Sequence, residues 1–200
     1  MDGDLAGFAD ETKIEMFEGG VDKKDAGVLT SYMCRKFWPL GCNKYDQLWS
    51  QFRNVTPHMR LAEVYLIYAE AVNEALGPNG TAGGLSLTAV DAVNEIRARA
   101  GMPEVAPQFS GDKFSFRDRI WNERSVELCF EGPRWSDIRR WYVAHLPEYK
   151  VLYDLEFDEK YTFFNRVVRV TRIFEQKHYW LPFPREQTEI YEGFFQNPGW

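Results

Sequence analysis

The segment over residues 60–74, RLAEVYLIYAEAVNE, is apolar almost all the way round a helix of about four turns. Leu61 and Val64 begin an apolar stripe with the i, i+3, i+4 spacing of an amphipathic helix. Leu66 and Ile67 add apolar bulk on a second side. Since a surface helix needs only one stripe, the pattern predicts a helix that neighbouring elements cover on more than one side.

A second helix is predicted to fold back on the first. The sequence GPNG at residues 77–80 ends the first helix, and the next helical pattern begins near Ser86. Thr88 and Asp91 have the spacing of a capping pair. Alanines on the first helix allow a neighbouring helix to approach closely, so residues 60–101 are expected to form one antiparallel hairpin.

Two further helices are predicted beyond this hairpin. The third spans about residues 115–131, and Gly132 ends it. The fourth starts at Pro133, because the first helical position tolerates a residue without an N–H group. Four side chains of the fourth helix are expected to face inward: Trp135, Ile138, Trp141 and Tyr142. Residues 115–142 would then form a second antiparallel hairpin.

The rest of the chain is expected to be largely irregular. Residues 1–58 mix glycines and prolines with isolated aromatics, and one short strand is expected near residues 27–37. Residues 161–174 alternate partially, as a strand or an extended arm does. The prediction is a mainly α fold with long irregular loops and at most short strands. Residues 1–58 are expected to form an irregular leading segment that is a candidate to face ligand, and residues 59–200 a helical domain with a docked tail.

Charge and composition exclude some classes of function. A net charge of −6 and an isoelectric point near 5.2 argue against nucleic acid as a partner, because phosphate binding needs a basic surface. The chain has no apolar run of about 18 residues, the length that suggests a membrane span. Its histidines and cysteines have no metal-ligand spacing, so no metal or cofactor is expected, and pairing of Cys34 with Cys42 is left open.

A strip of the third helix carries three glutamates at intervals of four residues: Glu123, Glu127 and Glu131. Such a strip can do acid–base chemistry or hold a structural charge network. The network is the simpler interpretation, because one aspartate and several arginines lie near in the sequence: Arg124, Arg134, Asp137, Arg139 and Arg140. Glu63 and Glu70 of the first helix are expected to pair with Arg97 or Arg99.

Aromatic residues make up 16% of the chain, more than a core of this size needs. One group lies in the leading segment: Phe37, Trp38, Tyr45, Trp49 and Phe52. This group either contacts ligand or packs over the helical hairpins. A second group is expected to clamp the proline-rich tail onto the core: Tyr179, Trp180, Phe183 and Trp200.

Four ordered motifs resemble those of the SusD/RagB family, over about residues 28–200. The first helix contains RLAEVYL and YAEA, and residues 92–103 read AVNEIRARAGMP. Residues 123–141 read ERSVELCFEGPRWSDIRRW, and the tail contains KHY and ends in QNPGW. The chain shows no lipoprotein signal with its cysteine and no long N-terminal half, so the resemblance is to the C-terminal domain of the family.

The resemblance implies a fold with hairpins like tetratricopeptide repeats and a function in binding without cleavage or cofactor. Members are lipoproteins on the extracellular face of the outer membrane of Bacteroidetes-type bacteria. They capture nutrients, commonly glycans or oligosaccharides, and pass them to a TonB-dependent SusC-like transporter. Contact with the membrane would be made only through an upstream lipid anchor that is absent from this chain.

Recognition is expected in the leading segment. The predicted ligand contacts are aromatic side chains that stack on sugar rings and polar side chains that hydrogen-bond to hydroxyl groups: Trp38, Tyr45 and Trp49, and Arg35, Asn43 and Asp46. Two alternatives stay open. A peptide-binding helical scaffold needs an exposed concave inner face. A glycan-degrading enzyme needs two carboxylates about 5 to 10 Å apart in an open cleft.

Overall fold

The structure is a computed structural model that describes residues 16–17, 19–20, 34, 36–37, 57–190 and 192–200. The strand predicted near residues 27–37 lies almost wholly outside these residues, and so does most of the leading segment. The chain divides into two compact units. One unit is Val55–Arg134, and the other includes Trp135–Trp200.

Three helices build the first unit: α1, Leu61–Leu76, α2, Ala89–Arg99, and α3, Lys113–Glu127, with a short 3-10 helix at Pro107–Phe109 before α3. The predicted capping pair is confirmed, because the Thr88 hydroxyl accepts from the Asp91 N–H and the Asp91 carboxylate accepts from the Thr88 N–H, both at 3.0 Å. Helix α3 ends at Glu127, earlier than predicted, and beyond it the backbone of Phe130 lies in the left-handed region at φ 63°.

Helix α1 packs against both α2 and α3, and both run antiparallel to it. One buried cluster joins the second half of α1 to the first halves of α2 and α3: Ala69, Val72, Ala89, Ala92, Val93, Phe116 and Ile120. A second cluster joins the start of α1 to the end of α2 and the residue after α3: Ala62, Leu66, Ile96 and Leu128. The predicted hairpin of the first two helices is therefore confirmed, and α3 packs on the same hairpin.

The outer side of α1 differs from the prediction. Leu66 is fully buried, but Leu61 is 68% exposed, and Val64 and Ile67 are about half exposed. Both neighbouring helices contact the side of α1 that carries Ala62, Leu66, Ala69 and Val72, where the two alanines allow close approach. The prediction that α1 is covered on more than one side is therefore wrong for the outer stripe formed by Leu61, Val64 and Ile67.

The second unit contains short helices and one small sheet. Helix α4, Pro133–Arg140, crosses the boundary between the units and begins at the proline that was predicted to start it. It is followed by α5, Pro147–Lys150, strands β1, Val151–Phe157, and β2, Phe164–Thr171, a 3-10 helix at Gln176–Tyr179, and α6, Arg185–Thr188. The two strands pair antiparallel, with Tyr153 opposite Val168 and Phe157 opposite Phe164.

The inward face predicted for the fourth helix is confirmed only in part. Ile138 is buried, whereas Trp135 and Tyr142 keep about half of their surface exposed. Tyr142 lies beyond the end of α4 and has φ 60°, so its side chain does not continue the inward-facing stripe of the helix. The predicted pairing of the third and fourth helices joins residues on either side of the unit boundary, and it stays a prediction.

Candidate functional site

The predicted ligand contacts all lie outside the described residues: Arg35, Trp38, Asn43, Tyr45, Asp46 and Trp49. Between them the structure places Lys36, whose carbonyl oxygen accepts a hydrogen bond from the free thiol of Cys34 at 3.5 Å. Cys42, its suggested partner, is also outside the described part of the chain. The leading-segment site therefore stays a prediction.

The glutamate strip of the third helix meets arginines of the first hairpin. Arg97 of α2 donates from Nη1 to the Glu123 carboxylate at 2.8 Å and from Nε to the Pro103 carbonyl oxygen at 2.7 Å. Less than a tenth of either charged side chain is exposed. The pair is therefore a buried, hydrogen-bonded ion pair that ties α2 to α3.

Arg60, the residue before α1, holds the other two glutamates. Its guanidinium donates to both Glu131 carboxylate oxygens at 2.7 and 2.8 Å, and to a Glu127 carboxylate oxygen at 2.5 Å. Arg99 donates to the same Glu127 carboxylate oxygen at 2.6 Å. Hydrogen bonding to Glu131, opposed by burial and assisted by Glu127, raises the pKa of Arg60 above its ordinary value. These hydrogen bonds therefore connect the residue before α1 to the last residue of α3 and to Glu131 beyond it.

The partners of these groups differ from those expected. Arg97 and Arg99 were predicted to meet Glu63 and Glu70, but they meet Glu123 and Glu127. Glu63 lies 3.9 Å from Arg124, whose side chain is buried. From their proximity in the sequence, the glutamates of the third helix were expected to pair with arginines of the fourth helix. In the structure, the packing of α2 against α3 brings Arg97 to Glu123, which is more than 25 positions away.

Asp137, Arg139 and Arg140 belong to the second unit. Asp137 is buried and accepts from Arg140 Nε at 2.9 Å on the same helix. Arg139 donates to the Tyr179 carbonyl oxygen at 2.6 Å and lies over the Trp135 ring. Arg134, at the end of the first unit, is exposed. Asp137 and Arg139 therefore each bind a residue of the second unit.

Three aromatic rings lie together at the tip of the β-hairpin and were not predicted as a group from the sequence. We call them the hairpin platform: Phe157, Tyr161 and Phe164. Their ring centroids lie 5.8, 6.1 and 6.3 Å apart, and their planes differ by only 15° to 27°. Tyr161 is 64% exposed and Phe164 is 58% exposed. The three aromatic residues are visible in the sequence, but only the pairing of the two strands brings Phe157 and Phe164 together.

The turn that carries Tyr161 is fixed by one carboxylate. Asp158 accepts from the Thr162 N–H and hydroxyl, both at 2.6 Å, and from the Phe163 N–H at 3.3 Å. The Thr162 hydroxyl contributes most to holding the pKa of Asp158 below its ordinary value. Tyr161 itself has φ 56°, a conformation uncommon for a residue with a side chain.

The aromatic tail folds against its own unit. The Trp200 indole N–H donates to the carbonyl oxygens of Lys177 and Trp180, at 3.1 and 2.9 Å. The Tyr179 ring stacks on Tyr142 with centroids 4.4 Å apart, and its hydroxyl lies 2.8 Å from His145 Nδ1. Trp180 was expected to take part in the clamp, but its side chain is largely exposed.

Neither a metal cluster nor a membrane span is found in the described part of the chain. Over residues 57–190 and 192–200 and the few described before them, no group of three or more His, Cys, Asp or Glu side chains is placed to hold a metal ion. Within the same residues, no helix combines the length and apolarity that crossing a bilayer requires.

Comparison with known proteins agrees with this architecture. A SusD family model matches residues 11–200. SusD-like protein P25 of Formosa agariphila is 30% identical over 132 residues, 66% of this chain and 21% of that protein. SusD-like protein P2 of the same organism is 42% identical over 87 residues, 41% of this chain and 16% of that protein. The crystal structure of a SusD-like protein from Bacteroides fragilis aligns with a TM-score of 0.57 at 31% identity, covering 72% of this chain and 25% of that chain.

Packed antiparallel helices with one small sheet define a mainly α protein of the helical-hairpin class. The family model extends over nearly the whole sequence. The chain belongs to the SusD family. It spans about a fifth of the length of the relative from Formosa agariphila that aligns over 132 residues.

Proposed function

We propose that this chain is part of a cell-surface nutrient-binding protein that captures glycans and delivers them to a TonB-dependent SusC-like transporter. Membership of the SusD family supports the proposal, since members are generally nutrient-binding companions of such transporters. The observation that carries it is the state of the glutamate strip, because Glu123 and Glu127 are covered and engaged by arginines. Binding without cleavage is the function that this arrangement favours.

A glycan-degrading enzyme is the less favoured alternative for a physical reason. Hydrolysis needs one carboxyl group that can donate a proton and a second that faces the sugar ring across an open cleft. Glu123 is held by Arg97, and Glu127 by Arg60 and Arg99, with about a tenth of each carboxylate side chain exposed. Neither carboxylate is accessible to a substrate, so both are assigned to structure.

A peptide-binding helical scaffold is also less favoured within Val55–Arg134. Such a scaffold binds along the concave face of its hairpins, which must therefore be open. The inner side of α1 is instead filled by α2 and α3, and Leu66 and Ala69 on that side are fully buried, as is Val93 of α2. The hairpins act as a scaffold for segments outside them.

The ligand contacts are assigned to the leading segment, as the sequence predicts. Trp38, Tyr45 and Trp49 stack on sugar rings, and their contribution is about 1 kcal/mol for each ring. The hydroxyl groups of the sugar are bound by three polar side chains: Arg35, Asn43 and Asp46. In this proposal, the full-length protein lies on the extracellular face of the outer membrane and is held there by a lipid anchor.

Isothermal titration calorimetry with a panel of oligosaccharides tests this function. The double variant Trp38→Ala, Trp49→Ala is expected to lose about tenfold or more in affinity for a glycan that the chain binds. Trp180→Ala is the matched control, because Trp180 is an exposed tryptophan of the tail. Unchanged affinity in the double variant would remove these residues from the site, and release of shorter sugars during incubation would contradict binding without cleavage.

A further inference from the structure

We propose that His178 makes the docking of residues 196–200, which we call the closing segment, sensitive to pH. The closing segment is held while the His178 imidazole is neutral, and it loosens when that ring takes up a proton. The device lies wholly in the second unit, at the 3-10 helix Gln176–Tyr179 and the residues that dock on it. It goes beyond the proposed function, since it does not depend on which nutrient the chain binds.

The closing segment lies along the 3-10 helix and the residues that follow it, and hydrogen bonds to the main chain hold it there. The Gln196 side chain accepts from the Phe183 N–H at 2.7 Å and donates to the Phe183 carbonyl oxygen at 2.8 Å. The Asn197 side chain donates to the Leu181 carbonyl oxygen at 2.6 Å. The Trp200 indole N–H donates to two carbonyl oxygens at the 3-10 helix. The position of the closing segment therefore depends on the backbone of that helix.

The end of the closing segment is in close contact with the 3-10 helix. Gly199 has φ 87°, and a Cβ atom at this position would lie 2.8 Å from the Cβ atom of Lys177, closer than Cβ atoms approach other atoms in proteins. The Trp200 ring meets the His178 ring edge to face, with centroids 5.2 Å apart. Because this contact has no spare room, a change in the backbone of the 3-10 helix displaces Trp200.

The start of the 3-10 helix depends on a hydrogen bond that only an unprotonated Nδ1 of His178 accepts. The Glu175 N–H donates to His178 Nδ1 at 2.8 Å, and the Glu175 side chain accepts from the His178 N–H in return. A ring nitrogen that accepts from an N–H group carries no proton of its own, so the bond requires the neutral ring with its hydrogen on Nε2. Protonation would place two N–H groups against each other, and the Glu175 N–H would lose its acceptor.

Charged side chains of both signs lie around the imidazole. The Glu175 carboxylate favours the protonated ring. Two cations oppose protonation: Lys177, whose Nζ lies 4.9 Å from the centre of the Trp200 ring, and Arg139 of α4, which donates to a carbonyl oxygen of the 3-10 helix. Phe174 also contacts the imidazole edge to face and carries no charge. A protonated ring that turns to bind the Glu175 carboxylate must leave the Glu175 N–H, so the hydrogen bond is lost in that arrangement too.

The sign of the pH dependence follows from this bond. The held form has a neutral imidazole, and the loosened form accepts a proton on it. Because the loosened form binds more protons, the closing segment is expected to loosen as the pH falls. The change is expected in the range where imidazole side chains ordinarily change charge, about pH 8 to 5.

His145 is a comparison for His178 within the same unit. Its Nδ1 lies 2.8 Å from the Tyr179 hydroxyl group, which donates to a neutral ring and accepts from a protonated one. Protonation of His145 therefore preserves its contact. The Tyr179 ring also stacks on Tyr142. The end of the 3-10 helix that carries Tyr179 is thus held at either pH, and the change is confined to the end that carries Glu175.

The experiment uses NMR spectroscopy of the complete nitrogen-15-labelled chain at about pH 8 and about pH 5.5. At the higher pH, long-range proton–nitrogen correlation is expected to show that Nδ1 of His178 is unprotonated. At the lower pH, the hydrogen-exchange protection of the Glu175 amide and the Trp200 indole N–H, each relative to a free peptide at the same pH, is expected to fall by about tenfold or more. The amide of Val93, in the buried core of the helices, should keep its protection, which excludes general unfolding.

Two matched variants assign the change to one histidine. In His178→Gln the side-chain oxygen accepts from the Glu175 N–H at either pH, so protection of Glu175 and Trp200 should be the same at both. His145→Gln is the control, and it should keep the pH dependence of the unaltered chain. The inference is overturned if His178→Gln keeps that dependence or His145→Gln loses it. A protonated Nδ1 on His178 of the unaltered chain at the higher pH, or equal protection at both pH values, would overturn it without any substitution.

Discussion

The buried charges of Val55–Arg134 have a definite structural role at the scale of single residues. Arg97 and Glu123 are both nearly covered, and each is the other's hydrogen-bonding ion partner at 2.8 Å. A buried pair of this kind adds little net stability over apolar residues of the same size, but it penalises every arrangement that separates the two charges. It therefore specifies the position of α2 against α3.

Removing one charge of this pair should cost much more than removing an exposed one. We expect Glu123→Gln to lower the free energy of unfolding by about 3 kcal/mol, because the buried Arg97 guanidinium is left without a counter-charge. Urea unfolding followed by circular dichroism measures the change. The control is Glu95→Gln on an exposed position of α2, where a change below about 0.5 kcal/mol is expected. Equal effects at the two positions would contradict a structural ion pair.

Acid should weaken the fold through carboxylates whose pKa values are lowered in the native state. The pKa of Asp91 is lowered chiefly by the Thr88 hydroxyl, and that of Glu74 chiefly by the Arg117 guanidinium. A lowered native pKa stabilises the fold above the unfolded pKa, and that stabilisation is lost as the pH falls through the native value. The melting temperature is therefore expected to fall between pH 5 and pH 3, that is, from about one unit above to about one unit below the ordinary carboxyl values.

The variant Asp91→Asn provides the check on this pH dependence. It lacks one of the titrating groups, so its melting temperature should fall less steeply over the same pH range. A melting temperature that rises on acidification would reverse the sign that the lowered pKa values require.

At the scale of elements, local signals in the sequence determine where helices begin. The capping box at Thr88 and Asp91, the aspartate cap at Asp112 and the proline at the start of α4 all have the local geometry that their residue types favour. Each cap satisfies N–H groups that have no partner inside the helix. The starts of α2 and α4 were therefore predictable from short stretches of sequence, whereas α1 begins after Arg60 without a side-chain cap.

The cap of α2 can be tested by a single substitution. Thr88→Ala removes the hydroxyl that accepts from the Asp91 N–H, and the free energy of unfolding is expected to fall by about 1 kcal/mol. Ser86→Ala, on an exposed residue before the helix, is the control with little expected effect. Chemical unfolding of both variants measures the difference, and equal stability of Thr88→Ala and the unaltered chain would argue against the cap.

Partners that are distant in the sequence could not be predicted in the same way. Arg60 was not associated with the glutamate strip, although it binds Glu131 across 71 positions, because only the antiparallel packing of α1 and α3 brings the two together. Strand β1 was missed because its sequence VLYDLEF has only weak alternation, and it is a strand because β2 pairs with it. The platform was missed for the same reason, since it needs the hairpin register.

The predicted ligand residues have a different status. They rest on aromatic composition and on the family resemblance, and the structure describes none of the six. The role of the glutamates, by contrast, was inferred from their spacing and from nearby arginines, and the helices supply arginine partners other than those inferred. The spacing of the glutamates indicated that they form ion pairs, and the packing of the helices determined which arginines they pair with.

At the scale of the whole molecule, the packed helices and the exposed aromatic side chains lie on different segments of the chain. The helices of Val55–Arg134 bury their small and branched residues against one another and engage their charges internally. Exposed aromatic side chains are found on the β-hairpin of the second unit, and others are predicted in the leading segment. The chain belongs to the SusD family, and binding on segments outside the helices is the function that we propose for it.

The most direct test of this division replaces the charges at the centre of the scaffold and leaves every proposed contact intact. The double variant Arg97→Met, Glu123→Leu substitutes apolar side chains for the buried pair, a change that is often neutral or stabilising when both charges are removed together. Calorimetric titration of the folded variant with the oligosaccharide that the chain binds gives the result. An unchanged dissociation constant is what the account predicts. A folded variant that has lost its affinity would contradict it, because recognition would then depend on the paired helices.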